Sequence, residues 1–522
     1  MLDDTGTLTN RAFGAGRRRE LAVLIGLSLF SFLILMLPNF NRAYGYFIDE
    51  FYYLACARRL AFGYVDHPSL APLLLRLSST FLGTSVPAIR VLPAAAIAAA
   101  VFLTGLLARR LGGGMFAQIL AALCVLSSPV FLIMGGFFSV NAFEILLWLS
   151  AVYVLLRILQ TQDSRLWLVF GVVAGLGLQN KHTMALLGLA LVVGLLFIPA
   201  RRCFLDKWFW LGGAIAFGIL LPNLFWQSAN GWPSLEFYRN AELYKNVPTP
   251  PFTALFNQVL FTNPATLVVW LAGLGFYLFS EKAKQYRVFG WAYLALLTMM
   301  LLAQSSRPDR IAGVYPMLFA GGAIWWESLI QRRNWSWIRP ILLCLVIACG
   351  LVLAPICLPI LPPETTAAYT ERLGVVPQLE RGKTSPLPQW LADRFDWEEM
   401  LKKVAAVYRS LPPDQQKQAV IVAPSYGHAG AIELFARDYR LPHVISTHNT
   451  YFLWGMNEPT PQIVIAIGSD PEDLKKLYEE VEYAGMIQGT YSMNWRRNMR
   501  ISVARKPKFK LSDVWVKFKN FG

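Results

Sequence analysis

Long apolar runs recur through residues 1–360 of this chain, each close to the roughly 20 residues an α-helix needs to cross the hydrocarbon layer of a bilayer. They fall near 21–38, 87–108, 115–135, 141–159, 166–180, 184–199, 208–227, 262–280, 288–304, 311–330 and 339–360, about eleven spans in all. Inside a bilayer every backbone N–H and C=O must be satisfied within the segment, so such a chain folds as a helix bundle. Only 15% of the residues are charged and the mean hydropathy is +0.42, values for a polytopic membrane protein rather than a soluble one.

The net charge of +16 would raise nucleic acid as a partner in a soluble protein. Here Arg17–Arg19, Arg109-Arg110, Arg157 with Arg165, Arg201-Arg202, Lys282 to Arg287 and Arg332-Arg333 fall on one side of alternating spans. That side is the expected cytoplasmic face, and topology replaces nucleic acid as the explanation. The basic stretch Arg496 to Lys519 is not explained this way and suits anionic lipid or a polyanionic acceptor. No small-residue cleavage site follows Arg17–Arg19, so the first helix is expected to be retained. An odd span count then puts everything after Leu361 outside the cytoplasm. Six cysteines lie mostly in or beside apolar runs, and their spacing indicates no disulfide framework or zinc motif.

The first external loop, 40–86, is too long for a connector. Asp49 to Phe62 reads as an amphipathic helix with Arg58 and Arg59 facing water or headgroups, and Ser69 to Leu82 as a more apolar one. Both are expected along the membrane surface, joined by a turn at Gly63–Pro68. They would carry Asp49, Glu50, Asp66 and His67 towards one cleft. The span domain, 1–360, is followed by a different composition over 361–522. There Pro359, Pro362 and Pro363 start a linker, Gln389–Leu411 reads as a helix, and strands are expected at 419–423, 443–446, 462–467 and 500–504, with a helix at 471–484. That order predicts a small, largely parallel α/β domain. Tyr426-Gly-His-Ala-Gly430 is too weak a glycine pattern to assign a nucleotide, and binding and packing both remain open there.

The stretch Tyr46-Phe-Ile-Asp49-Glu50-Phe-Tyr-Tyr53 sets two adjacent carboxylates between aromatic residues at a helix end, where solvation changes steeply and a pKa can be tuned. Asp49 and Glu50 are the leading candidates for acid–base chemistry; marking the water side of a helix is the plainer alternative. Asn141 and Glu144 start the fourth span, and Lys181 and His182 join the fifth to the sixth. Arg307, Asp309 and Arg310 follow the ninth. Charges beside apolar spans cost roughly 2.5–3.5 kcal/mol each at the bilayer centre, so they tend to face a cavity. Glu144 pairing structurally with Lys181 or an arginine, and Lys181 or Arg307 snorkelling at the interface, are the competing readings. Trp226, Trp232, Phe237 and Tyr238 suit an interfacial belt better than a sugar platform.

Taken in order, the Asp49-Glu50 loop, the Tyr64-Val-Asp66-His67-Pro68 turn, Phe138-Ser-Val-Asn141-Ala-Phe-Glu144, Gly175-Leu-Gly-Leu-Gln-Asn180-Lys181-His182 and Leu221-Pro-Asn-Leu-Phe-Trp-Gln227 resemble the membrane glycosyltransferases of family 39. These include the protein O-mannosyltransferases and the aminoarabinose transferases that modify lipid A. The resemblance covers about residues 20–330 and lies in motif order rather than in any single motif. It implies a GT-C fold, a sugar donor carried on a polyprenyl phosphate, and inverting transfer on the non-cytoplasmic face of the inner membrane to an acceptor it does not identify. Asp49 matches the family's first-loop carboxylate, which acts as or positions the base, with Glu50 beside it and Tyr53, Asn141 and Glu144 in the same cavity. Asp66 and His67 fall where the lipid A transferases have a donor-contacting Glu-Lys pair. Asn141 stands near a second aspartate of many relatives, a departure that bears on any mechanism needing two unless Glu144 substitutes.

The chemistry agrees with the resemblance. A hydroxyl attacking an anomeric carbon needs a base, and a departing lipid phosphate needs cations, for which His67, Lys181, His182, Arg307 and Arg310 are available. No cofactor is required by this scheme; Mg²⁺ held by Asp49 and Glu50 is the lesser reading. A flippase for lipid-linked sugars is the alternative from another class, although the chain lacks the related halves common in transporters. An assembly protein that has lost activity is a third.

Overall fold

The computed structural model describes residues 4–304, 307–374, 379–456 and 460–522, with side chains from residue 18 onward. The side chain of Arg17, and Ser305 and Ser306 of the expected 305–310 loop, lie outside the described residues.

The first part of the chain builds helices α1 (Asp4–Met36), α2 (Ile48–Arg58), α3 (Leu70–Leu82), α4 (Val86–Arg110), α5 (Met115–Ser127), α6 (Pro129–Gly135), α7 (Val140–Thr161) and α8 (Leu166–Asn180). There follow α9 (Met184–Leu196), α10 (Lys207–Ala229), α11 (Pro233–Asn240), α12 (Pro251–Phe261), α13 (Leu267–Phe279), α14 (Arg287–Leu302), α15 (Tyr315–Arg333) and α16 (Ile338–Cys357). Each expected run meets a helix or a bent pair. Five are long and apolar enough by themselves to cross a membrane: Arg18–Phe40, α4, α7, α10 and α16. Counting each bent pair as one span gives up to eight, against the eleven expected. The difference has a local cause: α8 and α14 have only 15 and 16 residues, and the 19 residues of α15 include Glu327, Gln331, Arg332 and Arg333, which lower its apolar content.

Ser128-Pro129 breaks α5 from α6 by 62°, because proline removes a backbone donor and the preceding residue is held extended, here with ψ 129°. The bundle is tight where glycines face backbone. A Cβ on Gly273 of α13 would lie 1.9 Å from the Leu318 carbonyl, and one on Gly322 of α15 would lie 1.8 Å from that of Val269. Small residues thus set the α13–α15 crossing. Leu29, Phe30 and Leu33 of α1 and Leu345 and Leu351 of α16 point outwards, as lipid-facing residues do.

Two expectations for the first external loop change. The helix α2 does not lie on a membrane surface: Phe51, Tyr52, Tyr53, Leu54, Ala55, Cys56 and Ala57 are all buried. Its second apolar side is covered by the C-terminal domain. Arg58 is exposed, as expected, and Arg59 keeps 35% of its side chain exposed while it pairs with Glu433 at 2.7 Å and stacks 4.6 Å over Trp454. By contrast α3 does expose Leu73, Leu77, Phe81 and Leu82.

Beyond the bundle, α17 (Pro363–Leu373) starts where a linker was expected, with proline in its first turn where no N–H is needed. The helix expected over 389–411 is split into α18 (Gln389–Ala392) and α19 (Trp397–Ser410) by Asp396, whose φ is +69°. The remainder runs α20 (Pro413–Gln416), β1 (Ala419–Val422), α21 (Tyr426–Tyr439), β2 (Val444–Ile445), α22 (Thr450–Trp454), β3 (Ile463–Ile467), α23 (Pro471–Leu477), β4 (Tyr478–Ile487) and β5 (Met499–Pro507). The sheet order is β2-β1-β3-β5-β4, parallel across the first three strands and antiparallel from β3 through β5 to β4. The sheet is therefore mixed, and the helix expected over 471–484 stops at Leu477. Residues 478–487 pair with β5 instead, and that ladder overrides the helix propensity of their glutamates.

Candidate functional site

Where the C-terminal domain closes over α2, a cavity of about 630 Å³ remains. Its wall joins Asp49, Phe137 and Asn141 from the bundle to Lys245, Arg307, Glu380, Lys383, Tyr426 and His448. The domain can come this close because of the glycine motif. A Cβ on Gly427 would sit 2.2 Å from Ile48 Cγ1, and one on Gly430 would sit 2.7 Å from the Phe51 carbonyl. Of the two open readings of Tyr426–Gly430, the structure shows packing at both glycines.

Asp49 and Glu50 are neighbours in the first turn of α2, about 100° apart around the helix, and they face different surroundings. Glu50 is fully buried. Its Oε1 accepts from Arg90 Nε at 2.7 Å and the Phe138 N–H at 2.8 Å, and its Oε2 from Arg90 Nη2 at 2.7 Å and the Phe47 N–H at 2.8 Å. Arg90 also donates to Asn39 and to the Gly45 carbonyl. Every strong acceptor position of Glu50 is used, so the expected catalytic partnership with Asp49 gives way to a structural tie between α2, α4 and the turn before α7. For the same reason the pair does not fit Mg²⁺: two carboxylates that face apart, one saturated by a guanidinium, do not chelate. Among the described residues no group of three or more His, Cys, Asp or Glu is placed to hold a metal ion.

Asp49 is half-buried and lines the cavity. Its Oδ1 accepts from the Tyr426 hydroxyl at 2.7 Å, and Oδ2 has no partner among the described residues. Burial raises its pKa above the usual carboxylate value, partly offset by Tyr426 and Lys245 and reinforced by the negative charge of Asp66 and Glu380. The cavity's second carboxylate differs. Burial acts to raise Glu380, but Lys245 and Lys383 outweigh it and hold the group at about 2.

The other expected site residues form a second cluster beside the cavity. Lys181 Nζ donates to Asn141 Oδ1 at 2.8 Å and to Glu144 Oε2 at 2.7 Å, while the Thr183 hydroxyl donates to Glu144 Oε1. Glu144 is thus paired with Lys181, the structural reading of those two residues. Asn141 alone of this cluster also lines the cavity. His182 bonds through its two ring nitrogens to Tyr238 and Asn223, each at 2.9 Å. Arg307 faces the cavity and pairs with Asp309 at 3.1 Å, an arrangement in which Arg307 overcomes burial and holds Asp309 at about 2. Burial lowers the Arg310 pKa, and this residue does not line the cavity.

Asp66 accepts from the Tyr52 hydroxyl at 2.8 Å. His67 is buried against the rings of Tyr52, Tyr53 and Tyr64, its Nδ1 2.8 Å from the Pro68 carbonyl. The Tyr53 hydroxyl accepts the Val140 N–H at 3.4 Å. Asp66, His67 and Tyr53 therefore lie behind the cavity wall rather than in it. Lys245, Glu380, Lys383, Tyr426 and His448 are cavity residues that sequence reasoning did not select. Only the glycine motif beside Tyr426 signalled any of them; Lys245 is one of several charges in its loop, with Glu236, Arg239 and Glu242.

With this geometry in place, comparison with known proteins gives four findings. Residues 66–226 match the family model described as dolichyl-phosphate-mannose-protein mannosyltransferase. ArnT from Cupriavidus metallidurans in the apo state superposes with a TM-score of 0.59 at 14% identity, covering 92% of this chain and 97% of that one. The same protein bound to undecaprenyl phosphate gives 0.57 at 13% identity, with the same coverage. No curated protein matches the sequence. The fold is the GT-C membrane fold, and the resemblance read from the motif order holds.

Proposed function

We propose that this chain, a GT-C-fold membrane glycosyltransferase similar to the protein mannosyltransferases and to ArnT, transfers a sugar from a polyprenyl-phosphate donor to a hydroxyl acceptor with inversion. The observation that carries this is Asp49: a carboxylate with one oxygen held by Tyr426 and the other without a partner among the described residues, on the wall of a cavity rimmed by Lys245, Arg307 and Lys383. In the reaction the acceptor oxygen bonds to the anomeric carbon and the bond from that carbon to the phosphate oxygen breaks. The acceptor proton goes to Asp49. A carboxylate whose pKa is raised by burial is the stronger base for this task. The lipid phosphate leaves with an additional negative charge, which the cations around the cavity stabilise. ArnT bound to undecaprenyl phosphate supports a polyprenyl phosphate as the lipid partner. Positive charge between alternate spans supports a cytoplasmic N-terminus, with the cavity and C-terminal domain on the opposite face of the plasma membrane.

The test is incubation of the purified protein in lipid with a panel of polyprenyl-phosphate sugars, scoring free polyprenyl phosphate, with Asp49→Asn as control. Release that depends on Asp49 is the expected result and names the donor. Movement of the lipid-linked sugar between leaflets without release would replace the transferase by a flippase.

A further inference from the structure

The C-terminal domain does more than cover the cavity. The Tyr426 ring is stacked against His448 at 4.7 Å and 24°, and lies 4.7 Å from Tyr52 at 31°. His448 is itself pinned: its Nε2 donates to Gly522 O at 2.6 Å, and its Nδ1 accepts the Tyr426 N–H at 3.4 Å. Tyr52 is pinned as well, to Asp66 at 2.8 Å and Thr450 at 2.5 Å. With ring and backbone both fixed, the Tyr426 hydroxyl is aimed at one place, Asp49 Oδ1. A carboxylate with a single partner otherwise turns freely about its last bond.

We propose that Tyr426 is a positioning residue of the transferase: its hydroxyl fixes the Asp49 carboxylate so that Oδ2 faces the cavity, which makes the C-terminal domain an integral part of the active site. This inference rests on Asp49 being the base. Tyr426 is suited to donate throughout, because burial first, then the charges of Asp49 and Asp66, hold its proton on. Burial, opposed by the Gly522 hydrogen bond and aided by the nearby charges of Lys245 and Lys383, keeps His448 neutral by lowering its pKa to about 4, so it serves as a support rather than a competing acid. The charged groups that act on Asp49 from the surrounding elements are Lys245, Asp66, Glu380, Arg307 and Asp393. None of them donates a hydrogen bond to it, so among the described residues Tyr426 is the only donor to Asp49.

The experiment is the titration of Asp49 in the full-length protein in nanodiscs, followed by its infrared carboxyl band as the difference between the protein and its Asp49→Asn variant. It needs no donor, so it succeeds or fails independently of the transferase assay. In Tyr426→Phe the midpoint rises by about one pH unit, because a hydrogen bond to the charged form has gone. Tyr408→Phe removes a hydroxyl of the same domain that bonds elsewhere, to the Gln416 carbonyl, and leaves the midpoint in place. If Tyr426→Phe does not fold, fluorotyrosine at position 426, a stronger donor of nearly the same shape, lowers the midpoint instead. Once a donor is known, the acid limb of kcat moves with the same midpoint. An unchanged Asp49 midpoint in a folded Tyr426→Phe protein, or in the fluorotyrosine protein, overturns the proposal.

Discussion

On the face of α2 turned to the helix bundle, Glu50 accepts four hydrogen bonds, two of them from Arg90; on the face turned to the C-terminal domain, Asp49 accepts one. The two carboxylates adjoin in sequence and share a helix turn, yet one is saturated and the other lines a cavity with one oxygen that has no partner among the described residues. The difference teaches that in a membrane bundle the number of occupied lone pairs, rather than charge or burial alone, separates a carboxylate that builds the fold from one available to a substrate. Burial without saturation also produces the raised pKa that a base requires.

This contrast breaks most readily at Asp49. In Asp49→Asn the rate of polyprenyl-phosphate release falls by about 10²–10⁴-fold, the range for loss of a general base, while unfolding in denaturant changes by less than about 1 kcal/mol. In the unmodified protein the rate declines as pH falls through the Asp49 pKa, which lies above the ordinary carboxylate value. Arg90→Leu has the opposite signature. It strips the guanidinium from Glu50, leaving only the Phe47 and Phe138 N–H groups, and costs about 3–5 kcal/mol in the same unfolding measurement. Replacing Glu50 by Leu in that background recovers part of the loss, which separates the cost of an orphaned charge from the net worth of the pair.

Gly427→Ala tests the contact that brings the C-terminal domain to Asp49. The added methyl meets Ile48 at 2.2 Å, and overpacking of this kind costs about 1–3 kcal/mol. The smallest effect concerns Glu380, whose folded pKa of about 2 lies below its ordinary 4.5. Its contribution is therefore complete above pH 4.5 and is lost as pH falls towards 2. Glu380→Gln removes that acid-range slope from the stability profile and costs about 1–2 kcal/mol at pH 7.

The helix bundle was legible in the sequence because apolar length is a local property, and Asp49, singled out from one short motif, lies on the cavity wall. What could not be read was whatever covers the second face of α2. Tyr426 lies 377 positions from Asp49, and Arg59 pairs with Glu433 across a similar distance, so neither partner shows in the local sequence. Glu50 looked like a catalytic neighbour for the same reason: Arg90, 40 positions away inside an apolar run, carries no mark that it turns inward. The 478–484 segment, rich in glutamate, reads as helix until β5 offers it a ladder. Lys181 and Glu144 were legible as a pair because they are adjoining charges at the ends of neighbouring spans.

The measurement that tests this account most directly is single-turnover release of polyprenyl phosphate by two folded variants side by side, Asp49→Asn and Glu50→Gln. The account predicts that Asp49→Asn retains its unfolding midpoint and loses turnover, whereas Glu50→Gln loses stability first and turns over wherever it remains folded. A stable Glu50→Gln protein without turnover, beside an Asp49→Asn protein that works normally, would contradict it.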